Sequence, residues 1–377
     1  MRFNQVRPKK RALRAACFFL CVASFLATDF SAAEQFHVFP LNADGDCDEP
    51  FERLANSLKP GDELIVHDGV YSQTCTRRLQ VNGTAEQPIL IRAADGARPT
   101  LTRPVTHNAT QNNLEIVDSS FVTIRGLRFF GGSIGVRFMG GSDIVFEGNE
   151  VAGTDTSAIT INSGDATRLT LRNNHIHHTG QSRVAPVTGE GIYVGCNDAE
   201  CIVTDSVFAY NRIHDLRATH GGGNDGIEIK PGSGGNVVRG NRIRNTTIGR
   251  AFPCIFAYGG GVEPNLIEDN HLAQCGEAIQ VVSDAIVRNN TIVDSTIAGI
   301  VSAPHVQVGT PKDLVIADNQ VSGHPMCLQL DWRDATNVTL TGNRFDCADT
   351  TAVRAQGVTA EQLRDNDING RSNVALD

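Results

Sequence analysis

The chain has 377 residues, 40% of them hydrophobic and 6% aromatic, with 37 glycines and 10 cysteines; 33 basic against 42 acidic residues give a formal charge of −9. That balance, without a basic stripe, excludes nucleic acid as an expected partner, because phosphate binding needs clustered cations. No apolar run is long enough to span a bilayer comfortably, so no membrane association is expected once the N-terminal leader is removed.

That leader, residues 1–33, reads as a signal peptide. Arg2, Arg7, Lys9, Lys10, Arg11 and Arg14 precede an apolar run over 15–27, and Ser31, Ala32 and Ala33 offer small residues for cleavage. The expected mature chain begins near Glu34 and is secreted or periplasmic, and a monomer. Cleavage removes six basic residues and one acidic residue, leaving 27 basic against 41 acidic and a formal charge of −14. An acidic polysaccharide can approach such a surface only where local cations or a bound metal offset the repulsion.

Residues 34–60 are the expected N-terminal cap of a single domain over 34–377. Pro50 stands at the start of a helical pattern in which Phe51, Leu54 and Leu58 share one face. Coils of a solenoid follow over about 61–368. Asparagines recur in one local setting at Asn149, Asn174, Asn211, Asn241, Asn270, Asn290, Asn319, Asn343 and Asn366, with gaps of 20 to 37 residues. An apolar residue stands three positions before each, from Phe146 to Leu363, and another two positions after, from Val151 to Ile368. A repeat of this kind, without a helical period, means one unit of short strands stacked on copies of itself. The expected fold is an all-β, single-stranded right-handed parallel β-helix. Each Asn is expected to take the left-handed conformation between two strands and to hydrogen-bond its counterpart one coil away. An earlier coil puts Leu127 in the Asn slot.

Every coil carries a further strand with apolar, variable, apolar residues, among them Ile159-Thr-Ile161, Ile192-Tyr-Val194, Ile227-Glu-Ile229, Ile255-Phe-Ala257 and Ile279-Gln-Val281. The variable residue faces outward by the two-residue period of a strand. Gly191, Gly226 and Gly299 precede these cores, where a backbone bend is expected. Eight cysteines lie beyond the leader, an even count that reads as disulfides in an exported chain. Their spacing suggests the neighbours Cys47 with Cys75, Cys196 with Cys201, Cys254 with Cys275 and Cys327 with Cys347, although spacing does not fix connectivity. A zinc site is the rival reading, and it lacks C-x-x-C spacing. The segment after Ile368 is expected to close the far end.

Aligning the outward residues gives columns. Ser157, Glu190, Asp225, Pro253 and Glu277 precede the cores; Thr160, Tyr193, Glu228, Phe256 and Gln280 fill the variable slot; Asn162, Gly195, Lys230 and Tyr258 follow. The longest gaps fall on the same coils, and their surplus residues, 180–188 and 215–223, are expected to become loops beside a cleft. Proton abstraction beside a carboxylate needs a cation on that carboxylate, a base at the carbon and an acid for the leaving oxygen. Glu190, Asp225 and Glu228 are candidate Ca²⁺ ligands, Lys230 is the candidate base given neighbouring cations, and Tyr193 or Tyr258 the candidate acid. Phe256, Gln280 and, in the second insertion, His220 are the expected substrate contacts. The same column read without chemistry is a solvated face or a Lys–carboxylate ladder. His175, His177 and His178 read as surface residues without ligand partners, and Pro231-Gly-Ser-Gly-Gly235 as a turn between coils.

Gly189-Glu190-Gly-Ile-Tyr-Val-Gly195 and Asn224-Asp225-Gly-Ile-Glu228-Ile-Lys230, with the stretches 59–71, 88–93 and 236–245, resemble the alginate lyase and chondroitinase B family of polysaccharide lyases over about residues 59–250. The resemblance implies β-elimination on a uronic-acid polymer, with Lys230 abstracting a proton next to a carboxylate held by calcium and Asp225 among the metal ligands. Gly223 stands where a second acidic ligand is expected, and Arg250 is the nearest counterpart of the family's arginine, Phe256 and Tyr258 occupying the matching strand. C5 epimerisation, glycoside hydrolysis and carbohydrate binding without catalysis are the alternatives on the same fold.

Overall fold

A computed structural model describes residues 33–41, 47, 50–103, 111–182, 188–217, 223–246 and 252–375. Residues 1–32 of the expected leader, His220, Arg250 and the middles of both insertions lie outside the described residues. Residues 33–377 fold as one unit. Among the described residues, no helix is long and apolar enough to cross a membrane.

Each coil contributes up to three short strands, and every inter-coil pairing is parallel. The first stack runs through Ile89–Ala93, Ser120–Arg125, Gly141–Glu147, Thr170–Arg172, Val207–Ala209 and Val237–Arg239. The second holds the strands just after the asparagines, such as Glu150–Ala152, His175–His177, Arg212–His214 and Arg242–Arg244. The third holds Ile159–Ile161, Ile192–Val194, Ile227–Ile229, Ile255–Ala257 and Glu277–Val281. Inward residues of all three stacks, including Phe146, Ile176 and Ile227, are fully buried in one continuous apolar core. The architecture is a parallel β-helix.

The asparagine ladder is continuous. The Oδ1 of Asn174 accepts from the backbone N–H of Asn149 at 3.0 Å, and the same bond recurs from Asn211 through Asn366 at 2.9 to 3.0 Å. Each Nδ2 donates to a carbonyl of an earlier coil, as Asn241 does to Phe208 at 2.8 Å. Leu127 keeps its place on the ladder through its backbone N–H, which donates to Asn149 Oδ1 at 2.9 Å. The expected left-handed conformation falls one residue earlier, on Gly148, Asn173, Tyr210, Gly240, Asp269, Asn289, Asp318 and Gly342. A turn at that residue swings the next side chain inward, where its amide replaces water for buried backbone groups. A shorter ladder was missed in the sequence: the N–H of Ser206 donates to Asn236 Oδ1, and that of Asn236 to Asn265 Oδ1.

The cap helix spans Pro50–Ala55 with Phe51 and Ala55 buried, preceded by a strand, Gln35–Val38, paired with Glu63–Val66. All eight cysteines pair as the spacing suggested. The segment after Ile368 continues the strand Asp367–Ala375, paired along Arg344–Gln356, and the short helix Ala360–Arg364 lies against Thr336–Thr341. The expected bend falls on Gly191 and Gly226, which also allow a close approach between coils, whereas Gly299 lies within the strand Ala298–Ser302. A Cβ on Gly226 would stand 2.4 Å from the Cys254 carbonyl and 2.5 Å from Ile243, and one on Gly191 would collide with the Gly226 carbonyl in the same way.

Candidate active-site groove

The third stack aligns its outward residues as the columns predicted, with Thr160, Tyr193, Glu228, Phe256 and Gln280 each beside the next. Tyr193, Glu228, Phe256 and Gln280 of this column line a cavity of about 400 Å³ together with Glu190, Asp225, Lys230, Tyr258, Thr188 and Asn197. Oxygens of Glu190, Asp225 and Glu228 all lie within 4.8 Å of one another, and all three side chains are buried.

Each carboxylate is held differently. Ser157 Oγ donates to Glu190 Oε2 at 2.5 Å, and Lys230 Nζ donates to Glu228 Oε1 at 2.5 Å. Asp225 Oδ1 is buried without a hydrogen-bond partner. Burial and then the charge of Glu228 push Glu190 up to about 7. Burial, followed by the charges of Glu228 and Glu190, holds Asp225 well above the usual carboxylate range. Gly223, the position of the expected second acidic ligand, is where the two meet: a Cβ there would lie 2.9 Å from Glu190 Oε1 and 3.2 Å from Asp225 Oδ2. The carboxylate of Glu190, from the coil before, occupies the space beside Gly223, and a side chain at 223 would displace it.

Lys230 faces outward in sequence yet is only 6% exposed. Its Nζ lies 4.8 Å from the ring centres of both Tyr193 and Tyr258, and 3.5 Å from the Tyr258 hydroxyl. The Tyr258 hydroxyl donates to Glu228 Oε1 at 3.2 Å, and that of Tyr193 to Asn197 Oδ1 at 2.8 Å. Burial first, then the charge of Glu228, pushes both phenols up. The cations expected around Lys230 are replaced, among the described residues, by a carboxylate and two aromatic faces.

His305 was not foreseen. It stands edge-on to Tyr258, 4.9 Å between centroids, while Tyr258 stacks on Phe256 at 4.0 Å. Its loop carries Val308 against the same rings, and Gln307 Nε2 donates to Asn197 O at 2.6 Å across 110 residues of sequence. Burial and then Lys230 lower the His305 imidazole's affinity for a proton. The only sequence signal was the surplus over 303–311 in the coil between Asn290 and Asn319.

A model described as right handed beta helix region matches residues 78–224 and 207–345. The chain belongs to this family. This β-helix protein has the fold of an alginate lyase from Paenibacillus sp. str. FPU-7, at 19% identity over 81% of this chain and 97% of that one, with a TM-score of 0.59. It is also similar to the A-module of the Azotobacter vinelandii mannuronan C-5 epimerase AlgE4, at 16% identity over 84% and 89% of the two chains, TM-score 0.55. A third likeness is to a GH136 lacto-N-biosidase from Eubacterium ramulus, at 14% identity over 91% and 68%, TM-score 0.51. No curated protein sequence matches the β-helix protein. Since these three structures bear names of different chemistries, the shared fold does not choose among them.

Proposed function

We propose that this β-helix protein is an exported polysaccharide lyase that cleaves a uronate-containing polymer by β-elimination. The observation that carries the reading is the joining of three buried carboxylates with one lysine between two phenols in a single groove. Ionised together, three carboxylates and one ammonium leave two negative charges in a site meant for an anionic sugar. The oxygen-only donor set and the orphaned Asp225 Oδ1 fit a hard divalent cation such as Ca²⁺, held by Glu190, Asp225 and Glu228. Such an ion would neutralise the sugar carboxylate and so acidify the adjacent C–H.

The chain's own groups supply the rest. Lys230 Nζ, once its ammonium has released a proton to solvent and left Glu228, accepts the proton from carbon as a neutral amine. Tyr258 and Tyr193 keep their phenolic protons, which suits them to protonate the leaving oxygen. Phe256, stacked on Tyr258, and Gln280 line the groove as sugar contacts. The disulfides fit an oxidising compartment and the expected export.

A second reading has its own support. Tyr193 and Tyr258 flank Lys230 at equal distance, so proton removal from one face and return to the other would give C5 epimerisation. A hydrolase needs two carboxyl groups on opposite sides of a bond, whereas these three are gathered at one place. Incubation with alginate, chondroitin and pectate in Ca²⁺, followed by ultraviolet absorbance, tests the proposal. Absorbing unsaturated ends support elimination; reducing ends without that absorbance, or solvent deuterium in uncleaved polymer, overturn it in favour of hydrolysis or epimerisation.

A further inference from the structure

On the second stack, away from the groove strands, consecutive coils bring a different donor set together. Glu150, His175 and His177 each offer a ligand atom, all within 4.8 Å of one another. His175 Nε2 lies 2.8 Å from His214 Nε2, and His177 Nε2 lies 3.2 Å from Glu150 Oε1. The sequence scatters these residues over positions 150 to 214, but the parallel register sets Glu150 beside His175 and His177 beside His214.

Hydrogen bonds from neighbouring side chains orient these donors. His214 Nδ1 contacts Asp215 Oδ2 at 2.7 Å, and Asp215 Oδ1 accepts from Asn245 at 2.5 Å. The carboxylate thus draws the ring's proton to Nδ1 and leaves the Nε2 lone pair facing His175. His177 Nδ1 contacts His178 Nδ1 at 2.7 Å, and Arg128 Nε holds Glu150 Oε2 at 2.8 Å, leaving Oε1 toward His177. Burial lowers the proton affinity of His175, His177 and His214.

We propose that Glu150, His175 and His177, with His214 as fourth donor, form a binding site for a divalent transition ion of the Zn²⁺ class that pins three consecutive coils. Three imidazoles and one carboxylate suit Zn²⁺, Ni²⁺ or Cu²⁺ and not Ca²⁺, the reverse of the groove's donors. Metal–nitrogen bonds of about 2.0–2.1 Å in a tetrahedron separate donors by roughly 3.3 Å. The 2.8 and 3.2 Å contacts therefore need only a slight opening. A ring proton now shared in these contacts moves to the other ring nitrogen or to solvent as the ion takes its place. Four protein donors make a closed, structural site.

The test is a Zn²⁺ titration by calorimetry on chelator-treated mature chain, with Co²⁺ visible absorbance as a second readout. One ion per chain is expected, with a raised melting temperature, retained in Glu190→Gln and in His271→Ala. His177→Ala and His175→Ala should weaken binding at least about tenfold, and Asp215→Asn about 10- to 100-fold. Should His177→Ala melt early without metal, His175→Gln keeps a polar side chain and replaces it in the comparison. No stoichiometric Zn²⁺ binding, equal binding in the histidine variants, or loss of binding in Glu190→Gln overturns the site. None of these outcomes depends on polysaccharide cleavage.

Discussion

Lys230 Nζ and Glu228 Oε1 form a buried ion pair of 2.5 Å on the outward side of a single strand, two residues apart. Outward in a solenoid usually means solvated, but the rings of Tyr193 and Tyr258 flank Lys230 Nζ and the Tyr258 hydroxyl donates to Glu228. Removing one partner leaves the other charge buried and uncompensated.

Lys230→Ala should therefore reduce cleavage by about 10²- to 10⁴-fold and also destabilise the fold by about 3–5 kcal/mol. A solvated lysine would leave stability almost unchanged. The double variant Lys230→Met with Glu228→Gln should recover most of the melting temperature and none of the activity. Full turnover in Lys230→Ala on any cleaved polymer would remove this residue from the mechanism.

Stability without divalent cation should fall as pH rises. Glu190 and Asp225 have folded-state affinities for protons above their unfolded ones, so their neutral forms are favoured by folding. For Glu190 the contribution is complete below about 4.5 and is lost as pH passes about 7. Thermal melts in chelator should thus be higher at pH 4.5 than at pH 8 by a few degrees, and Glu190→Gln should flatten the slope. Added Ca²⁺ should restore the loss at pH 8 in the wild type and not in Asp225→Asn. A pH-independent midpoint in chelator would contradict this account.

At Gly223 the clash with Glu190 predicts a direction opposite to ligand counting. Gly223→Asp adds a carboxylate but displaces Glu190 Oε1, so Ca²⁺ affinity and turnover should both drop. Tighter Ca²⁺ binding in Gly223→Asp would show that the groove adapts.

For the ladder, Asn241→Ala removes acceptance from the Asn211 N–H and donation to the Phe208 carbonyl. With both groups buried, unfolding should cost about 2–3 kcal/mol less. Asn289→Gly, at the left-handed position just before Asn290, should stay within about 0.5 kcal/mol of wild type. Chemical denaturation of the two variants separates the roles, and equal midpoints would refute the distinction.

Tyr258→Phe keeps the ring that stacks on Phe256 while removing the proton that the phenol would donate. Turnover should fall about 10- to 10³-fold with KM little changed. His305→Ala, which removes a wall of the groove, should act mainly through KM. Unchanged turnover in Tyr258→Phe would shift the donor role to Tyr193.

What the sequence by itself determined is whatever one coil repeats. The apolar, variable, apolar strands, the asparagine period, the outward columns from Thr160 to Gln280 and the cysteine neighbours are all local patterns, because a solenoid stacks each coil on copies of itself and position in the repeat is position in space. Tertiary structure decided whatever depends on how far neighbouring coils or unequal loops reach. The left-handed residue sits before each ladder asparagine from Asn149 to Asn343 because the amide must point inward. Lys230 is buried where Tyr193 and Tyr258, from the coils before and after, face its Nζ. His305 reaches the groove because its loop packs on Phe256 and Tyr258, and His175, His177, His214 and Glu150 meet only when three coils are in register. A repeat encodes direction and spacing, while burial and side-chain partnership are set by residues the repeat does not contain.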